Sequence, residues 1–182
     1  LNPARVRTWG WSDPKSAAYP NNWIAVCNGG LAMAALAVGD EPGAEELASQ
    51  VLTMGLKLTE DFLSCYSPDG AWYEGTTYWS YAAKYLTYYA DSLITATGSD
   101  YGLLKAPGVE ETGYFILNMI GPAGTFNLND AAQTHLNAPE LSGLARLFKN
   151  TDYMAARMEF VNTFKARYAE DLIWYDPETL GE

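Results

Sequence analysis

The sequence predicts an all-α domain, and three observations support that class. Apolar residues recur at spacings of three and four along several long stretches, as they do on the buried face of a helix. No stretch shows a sustained alternation of β-branched and polar residues, which is the pattern of a half-buried strand. The composition, 48% hydrophobic and 18% charged over 182 residues, is that of a globular domain with one substantial core.

The chain is expected to form a single domain over residues 1–182. Residues 1–20 are rich in Pro, Trp, Ser and Arg without periodicity, so they predict an irregular first segment. No later stretch has the composition of a linker between domains. Leu1 in place of a methionine, together with the lack of a signal-peptide pattern, indicates a piece of a longer protein.

The first predicted helix begins at Asn22, after Asn21 as its N-cap, and ends near Gly39. Its apolar residues follow the helical period: Ile24, Cys27, Leu31, Ala34, Ala35 and Val38. The second helix is predicted to begin at about Pro42, with two glutamates in its first turn, where the helix dipole favours anions. It is expected to end at a turn with the sequence Ser67-Pro68-Asp69-Gly70.

A third helix is predicted over residues 76–97. Apolar and aromatic side chains lie on most of its sides, so we expect it to be buried on several of them. Shorter helices are predicted at about 108–120, 139–149 and 151–171, the last with Thr151 as its N-cap. The short turns between helices predict antiparallel pairs.

One long connection, from Gly121 to Ala138, has no helical period. It contains His135, which is the only histidine of the chain. Loops of this length inside a compact domain are usually functional or disordered. The aromatic and asparagine residues of this loop favour an ordered conformation.

Charge and motif content exclude several classes of function. A net charge of −11 argues against nucleic-acid binding, which requires a basic surface. No apolar run reaches the roughly 20 residues that cross a bilayer. The sequence has no serine-hydrolase elbow, phosphate-binding loop or zinc-protease motif, and no spacing that predicts a metal site. Cys27 and Cys65 lie in apolar helical stretches, so we expect buried free thiols.

Glu74 is a candidate for chemistry because of the residues around it. It lies at the start of the third helix, beside Trp72, Tyr73, Tyr78 and Trp79. Aromatic rings next to a carboxylate suit a sugar, because the rings cover its apolar faces while the carboxylate bonds its hydroxyls. The alternative interpretation is that Glu74 caps the third helix and the rings belong to the core.

Two other stretches hold unusual polar residues. The first helix starts with Asn21-Asn22-Trp23 and contains Asn28-Gly29-Gly30. A buried amide needs hydrogen-bond partners, and each glycine weakens a helix by about 1 kcal/mol while permitting close approach of another backbone. The long loop carries the polar sequence Phe126-Asn127-Leu128-Asn129-Asp130.

In their order and spacing, these stretches resemble the heparinase II/III-like polysaccharide lyases, a family that includes oligo-alginate lyases. The resemblance covers most of the chain. It is carried by the sequences NNWIAVCNGG at 21–30, YSPDGAWYEG at 66–75, YWSY at 78–81, GPAG and FNLND within 121–130, and IWYDP at 173–177.

The resemblance implies an incomplete α/α toroid and the cleavage of uronate-containing glycans by β-elimination. That reaction needs a group that neutralises the uronate carboxylate and a group that transfers protons. The resemblance places the first at Asn22 and the second at Tyr78, with Tyr81 as the alternative. It implies no cofactor or metal. The residues expected to bind substrate are Asn21, Trp23, Trp72, Glu74, Trp79, Tyr81, Asn129 and Asp130.

The resemblance also implies a setting for the protein. We expect an acidic polysaccharide or oligosaccharide as the partner, with no nucleic acid or membrane involved, and a periplasmic or secreted location. A β-sandwich domain is expected downstream, together with the family's second catalytic histidine, which His135 does not match. The chain alone is therefore expected to be nearly inactive.

Two alternatives stay open. In an α/α-toroid glycoside hydrolase, Glu74 and Asp130 would form a carboxylate pair. A non-catalytic glycan-binding or helical scaffold domain would bind without turnover. The net negative charge opposes an acidic glycan, so a lyase would depend on local cations, of which the chain offers Arg5, Arg7, Lys84 and Arg146.

Overall fold

A computed structural model of the chain describes residues 12–16, 19–132 and 136–181, and these are mostly helical. The all-α class is therefore confirmed. The α-helices are α1 (Asn22–Val38), α2 (Glu45–Leu63), α3 (Thr76–Thr97), α4 (Thr112–Asn118), α5 (Glu140–Phe148), α6 (Thr151–Phe164) and α7 (Ala169–Ile173). Short 3₁₀ turns cover Ser64–Tyr66, Leu103–Lys105 and Pro177–Thr179, and the strands β1 (Ile120–Gly121) and β2 (Gly124–Thr125) form a small antiparallel hairpin.

Helix α1 packs against both α2 and α3 and begins where the sequence predicts. Its N-cap is Asn21, whose side chain accepts the backbone N–H of Trp23 at 2.9 Å. Gly29 lies against α3 so closely that a Cβ there would stand 3.0 Å from the carbonyl oxygen of Tyr85. The expected close packing at the glycine pair is therefore confirmed for Gly29, whereas a Cβ on Gly30 would meet nothing within 4 Å.

Helix α2 begins later than predicted. Pro42 lies in a turn before the helix, and Glu45 is the first helical residue. The helix continues into the 3₁₀ turn that ends at Tyr66, and the polypeptide then turns as predicted. The rings of Phe62, Tyr66 and Trp72 lie 5.1 to 5.5 Å apart and are fully buried, so this corner is part of the core.

Helix α3 spans the predicted residues and packs on α1 from one side and on α5 from the other. The expectation that it is buried on several sides is confirmed by its fully enclosed residues, among them Trp79, Ala82, Ala83 and Ala90. It ends at Gly98, whose φ of 78° is a left-handed conformation that glycine adopts without strain.

The second half of the chain departs from prediction at several points. Asn150, not Thr151, caps α6, because its side chain accepts the N–H groups of Asp152 and Tyr153. The predicted helix over 151–171 is broken, since α6 ends at Phe164 and α7 is separate. The loop predicted from Gly121 to Ala138 contains the β1–β2 hairpin at its start.

Buried charge joins α6 to α7. Arg157 is fully buried and donates to both carboxylate oxygens of Asp171, at 2.7 and 2.6 Å. Its remaining N–H groups bond the carbonyl oxygens of Asn137 and Ala166. The guanidinium therefore ties the polypeptide before α5 and the polypeptide after α6 to one point.

The described residues include neither a membrane-spanning helix nor a cluster of metal ligands. Within them, no helix combines the length and the apolar character that crossing a bilayer requires. They also contain no group of three His, Cys, Asp or Glu side chains placed to hold a metal ion. Cys27 and Cys65 are both free and partly buried.

Candidate functional site

The carboxyl group of Glu74 lies beside the beginning of α1. The backbone N–H of Asn22, the first residue of that helix, is near enough to favour the charged form of Glu74. The side chain that caps α1 is Asn21, through the N–H of Trp23. Glu74 does not cap α3, which begins after Gly75 without a side-chain cap.

Opposing effects act on the pKa of Glu74. Burial raises the pKa of its carboxyl group, the Asn22 N–H and the Trp72 indole lower that pKa, and Asp130 raises it through like-charge repulsion. The indole does not complete a hydrogen bond of regular geometry, since Nε1 of Trp72 and Oε2 of Glu74 are both buried without a partner. A partly buried carboxyl of this kind can hold a proton more readily than an exposed one.

Two further groups near Glu74 keep their protons. Burial raises the pKa of Tyr73 to about 12, and the charges of Glu74, Cys65 and Asp130 add to the effect. Burial, with Glu74, raises the pKa of the Cys65 thiol to about 11. Near neutral pH both groups are uncharged, so this corner offers proton donors and no thiolate nucleophile.

The polypeptide after β2 lies on the Glu74 segment. Nδ2 of Asn129 donates to the carbonyl oxygen of Tyr73 at 3.1 Å, and the Tyr73 hydroxyl donates to the carbonyl oxygen of Pro20 at 2.9 Å. Asp130 follows, close enough to Glu74 to affect its ionisation. Three stretches that are distant in sequence therefore meet here, from the start of α1, the start of α3 and the long loop.

Gly75, the residue just before α3, packs closely on the long loop. Its φ is +92°, and a Cβ there would stand 2.1 Å from the carbonyl oxygen of Leu128. We expect Gly75→Ala to lower the free energy of unfolding by about 2–4 kcal/mol, from backbone strain plus overpacking, and to displace the loop from Glu74. Denaturant titration measures the loss, and proteolysis within 121–132 reports the displacement.

Gly98→Ala is the matched control for this substitution. Gly98 also has a positive φ, of +78°, but a Cβ there would meet nothing within 4 Å. Gly98→Ala should lower the free energy of unfolding only by the backbone strain, about 1 kcal/mol. Equal losses in the two variants would contradict the close packing of the loop on Gly75.

The two residues predicted to be catalytic differ in placement. Asn22 is only 2% exposed, at the first turn of α1. Tyr78 lies in the first turn of α3, partly buried and packed against the core. Tyr81, the alternative, is 44% exposed and meets Tyr85 edge to face at 5.4 Å. Asn22 thus lies near enough to Glu74 to affect its pKa, and Tyr78 lies four residues after Glu74 in the chain.

Two of the tryptophans predicted to bind substrate are core residues. Trp72 is fully enclosed by Phe62 and Tyr66, and Trp79 is fully buried with its indole N–H donating to Oγ1 of Thr112 at 2.8 Å. Neither ring presents a face that a sugar could cover, because tertiary packing occupies both faces. Trp23, by contrast, is 54% exposed at the start of α1.

No model of a known protein family matches this chain, and no curated protein sequence matches it.

One buried carboxyl was not among the residues singled out from the sequence. Glu140, the first residue of α5, is fully enclosed, and neither of its oxygens has a partner with regular hydrogen-bond geometry. In the sequence it looks like an ordinary first-turn glutamate, which the helix dipole favours. His135, the other residue of uncertain role, lies outside the described residues.

Proposed function

We propose that the chain is part of a polysaccharide lyase that cleaves uronate-containing glycans by β-elimination, and that its helices form an incomplete α/α toroid. The single observation that carries this proposal is the pair of hydrogen bonds at Tyr73. Its hydroxyl donates to the carbonyl oxygen of Pro20, just before the stretch at 21–30, and its carbonyl oxygen accepts Nδ2 of Asn129. They join stretches whose sequences resemble the lyase family at one corner of the fold. The long loop, which carries a third such stretch, lies on the same corner.

In the proposed reaction, a base removes the proton on the carbon that bears the uronate carboxylate. The electron pair of that C–H bond forms a carbon–carbon double bond, and the glycosidic oxygen leaves from the neighbouring carbon with a proton from an acid. Asn22 stabilises the carboxylate as charge builds on it, and Tyr78 transfers the protons. Glu74 is a positioning residue, because its carboxyl group lies beside the backbone N–H of Asn22.

Asn22 is buried, so its proposed role requires a movement that lets a glycan reach it. With 2% of its surface exposed, the amide must become accessible when a glycan binds. The neighbouring loop is a segment whose displacement would open this corner, since its Asn129 holds Tyr73 by one hydrogen bond to the backbone. Loop movements of this kind accompany substrate binding in many enzymes.

The role of Asn22 can be tested with a substrate whose carboxylate has been neutralised chemically. Asn22→Ala should reduce kcat/KM on a free uronate oligosaccharide by about 10²-fold or more, as removal of an oxyanion-stabilising group does. On the methyl ester of the same oligosaccharide, the loss should be much smaller, because the ester carries no charge to neutralise. Absorbance of the unsaturated product measures both rates.

Asn127→Ala is the control for the Asn22 experiment, since Asn127 is an exposed asparagine of the loop. Asn127→Ala should leave kcat/KM unchanged on both the free uronate oligosaccharide and its methyl ester. An equal loss for Asn22→Ala on acid and ester would show that Asn22 matters for folding or for general binding, and not for neutralising the carboxylate.

A specific observation favours a second candidate, a glycoside hydrolase. Glu74 has a raised pKa and lies within electrostatic reach of Asp130, and a protonated acid beside a second carboxylate is the arrangement that glycoside hydrolysis uses. The products separate the two reactions. A hydrolase adds water across the cleaved bond, whereas a lyase leaves an unsaturated sugar.

A further inference from the structure

Glu140 lies at the meeting point of α3, α5 and α6. Its carboxyl group faces Ser80 and Lys84 from α3 and Arg157 from α6, while Tyr66 and Tyr88 lie near enough for its charge to affect theirs. The Ser80 hydroxyl and the Glu140 backbone N–H favour the charged form, but neither completes a regular hydrogen bond with the buried oxygens. The carboxyl is thus enclosed without a dedicated partner.

The two cations that face Glu140 are the same two that hold α7. Nζ of Lys84 lies 3.6 Å from Oε1 of Glu170, and Arg157 bonds Asp171 at 2.6 Å. Tyr88 also lies near Glu170 and favours its charged form. The acidic pair at the start of α7 is therefore anchored by side chains that would also be attracted to a charged Glu140.

The pKa of Glu140 shifts in the opposite direction to those of Glu170 and Asp171. Burial raises the pKa of Glu140 to about 7, although Ser80, Lys84 and Arg157 oppose the shift. The pKa values of Glu170 and Asp171 are lowered, since Tyr88, Lys84 and Arg157 favour their charged forms over the opposing effect of burial. Near neutral pH, therefore, Glu140 changes charge while both carboxylates of α7 stay ionised.

The direction of the pH effect follows from the raised pKa. The folded state favours neutral Glu140. The contribution of Glu140 to folding stability is therefore most favourable below the ordinary glutamate pKa, and it is lost as pH rises toward about 7. Above that pH an enclosed negative charge is present, and Lys84 is the cation free to respond. Arg157 is fixed by its bonds to the carbonyl oxygens of Asn137 and Ala166, whereas Lys84 pairs only with Glu170 among the residues that the structure describes.

We propose that Glu140 is a pH-sensitive switch for the docking of α7, acting through Lys84. With Glu140 neutral, Lys84 pairs with Glu170 and holds α7 on α3. With Glu140 ionised, Lys84 is shared between two carboxylates, and the hold on α7 weakens. Trp174, which follows α7 and is buried against Tyr88 at a ring distance of 4.8 Å, is the residue that such loosening would uncover.

Helix α7 is suited to this behaviour because little else covers it. Leu172 is 82% exposed, and α7 itself contains no buried residue. Its attachment therefore depends on the ion pairs of Glu170 and Asp171, on the hydrogen bond from the Ser142 hydroxyl of α5 to Asp171 at 3.1 Å, and on the buried ring of Trp174. An element held by few apolar contacts opens locally at low free-energy cost.

Amide hydrogen exchange at about pH 5.5 and about pH 8.5, corrected for the intrinsic rate at each pH, tests the switch. The wild-type chain should show a roughly fivefold faster exchange over residues 169–175 at the higher pH, the effect of losing one partly exposed ion pair. Residues 45–63 of α2 should show no such change. Equal corrected rates over 169–175 at the two pH values would overturn the proposal.

Two variants identify the groups involved. Glu140→Gln keeps the shape of the neutral acid, so its α7 should exchange slowly at both pH values. Lys84→Met removes the shared cation, so its α7 should exchange rapidly at both. A wild-type pH response that survives in either folded variant would show that other groups cause it. If Glu140→Gln does not fold, Lys84→Met alone decides between these outcomes.

Discussion

Replacing Tyr78 by phenylalanine is expected to reduce kcat by about 10²–10⁴-fold, the usual contribution of general acid–base catalysis. The substitution removes one hydroxyl and leaves the ring, which packs against the core, so the fold should be retained. The measurement is the rate of unsaturated product formation on a uronate oligosaccharide. It should be made in a protein that includes the β-sandwich domain implied by the family resemblance.

Tyr81→Phe is the matched control for Tyr78→Phe. Tyr81 lies one turn further along α3 and is more exposed. Tyr81→Phe should retain a rate near that of the wild type. Both variants should have melting temperatures close to that of the wild type. A wild-type rate for Tyr78→Phe, combined with a large loss for Tyr81→Phe, would transfer the acid/base role to Tyr81.

Replacing Arg157 by methionine is expected to lower the free energy of unfolding by about 3–5 kcal/mol, the cost of removing one partner from a buried ion pair. Methionine fills much of the same volume but leaves the carboxylate of Asp171 without its two strongest bonds. The carbonyl oxygens of Asn137 and Ala166 lose their donors as well. Denaturant titration followed by far-UV circular dichroism gives the difference.

Lys149→Met provides the comparison for Arg157→Met. Lys149 also pairs with two carboxylates near the end of the chain, Asp176 and Glu178, but it is an exposed side chain. Exposed pairs contribute little, so the free energy of unfolding should be nearly unchanged. Similar values for the two variants would mean that Arg157 does not join α6 and α7 in the way its contacts indicate.

The long helices could be predicted because their signals are local. Helices α1 and α3 have continuous apolar patterns, and their ends carry a capping asparagine at Asn21 and a terminal glycine at Gly98. The break between α6 and α7 carries no such signal. Lys165 adopts a φ of +55° there without a glycine or proline. The break is stabilised by Arg157, a tertiary contact that periodicity does not contain.

The candidate site was predictable only in part, for the same reason. Residue types identify Asn22 and Glu74, but their proximity depends on how α1 packs against the polypeptide before α3. Trp72 and Trp79 have the residue type that a sugar site uses, and only the packing shows that both rings are enclosed. Nothing in the sequence distinguishes Glu140, because its burial comes from α3 and α6, which are distant in sequence.

The identity of the cleavage product tests the proposed lyase activity most directly. A protein carrying this chain and the β-sandwich domain that the family resemblance implies would be incubated with uronate-containing oligosaccharides, and the products would be examined by ultraviolet absorbance and mass spectrometry. A lyase gives one fragment with a conjugated double bond, and the masses of the fragments sum to that of the substrate. Saturated fragments whose summed mass exceeds the substrate by one water would contradict β-elimination and identify a hydrolase.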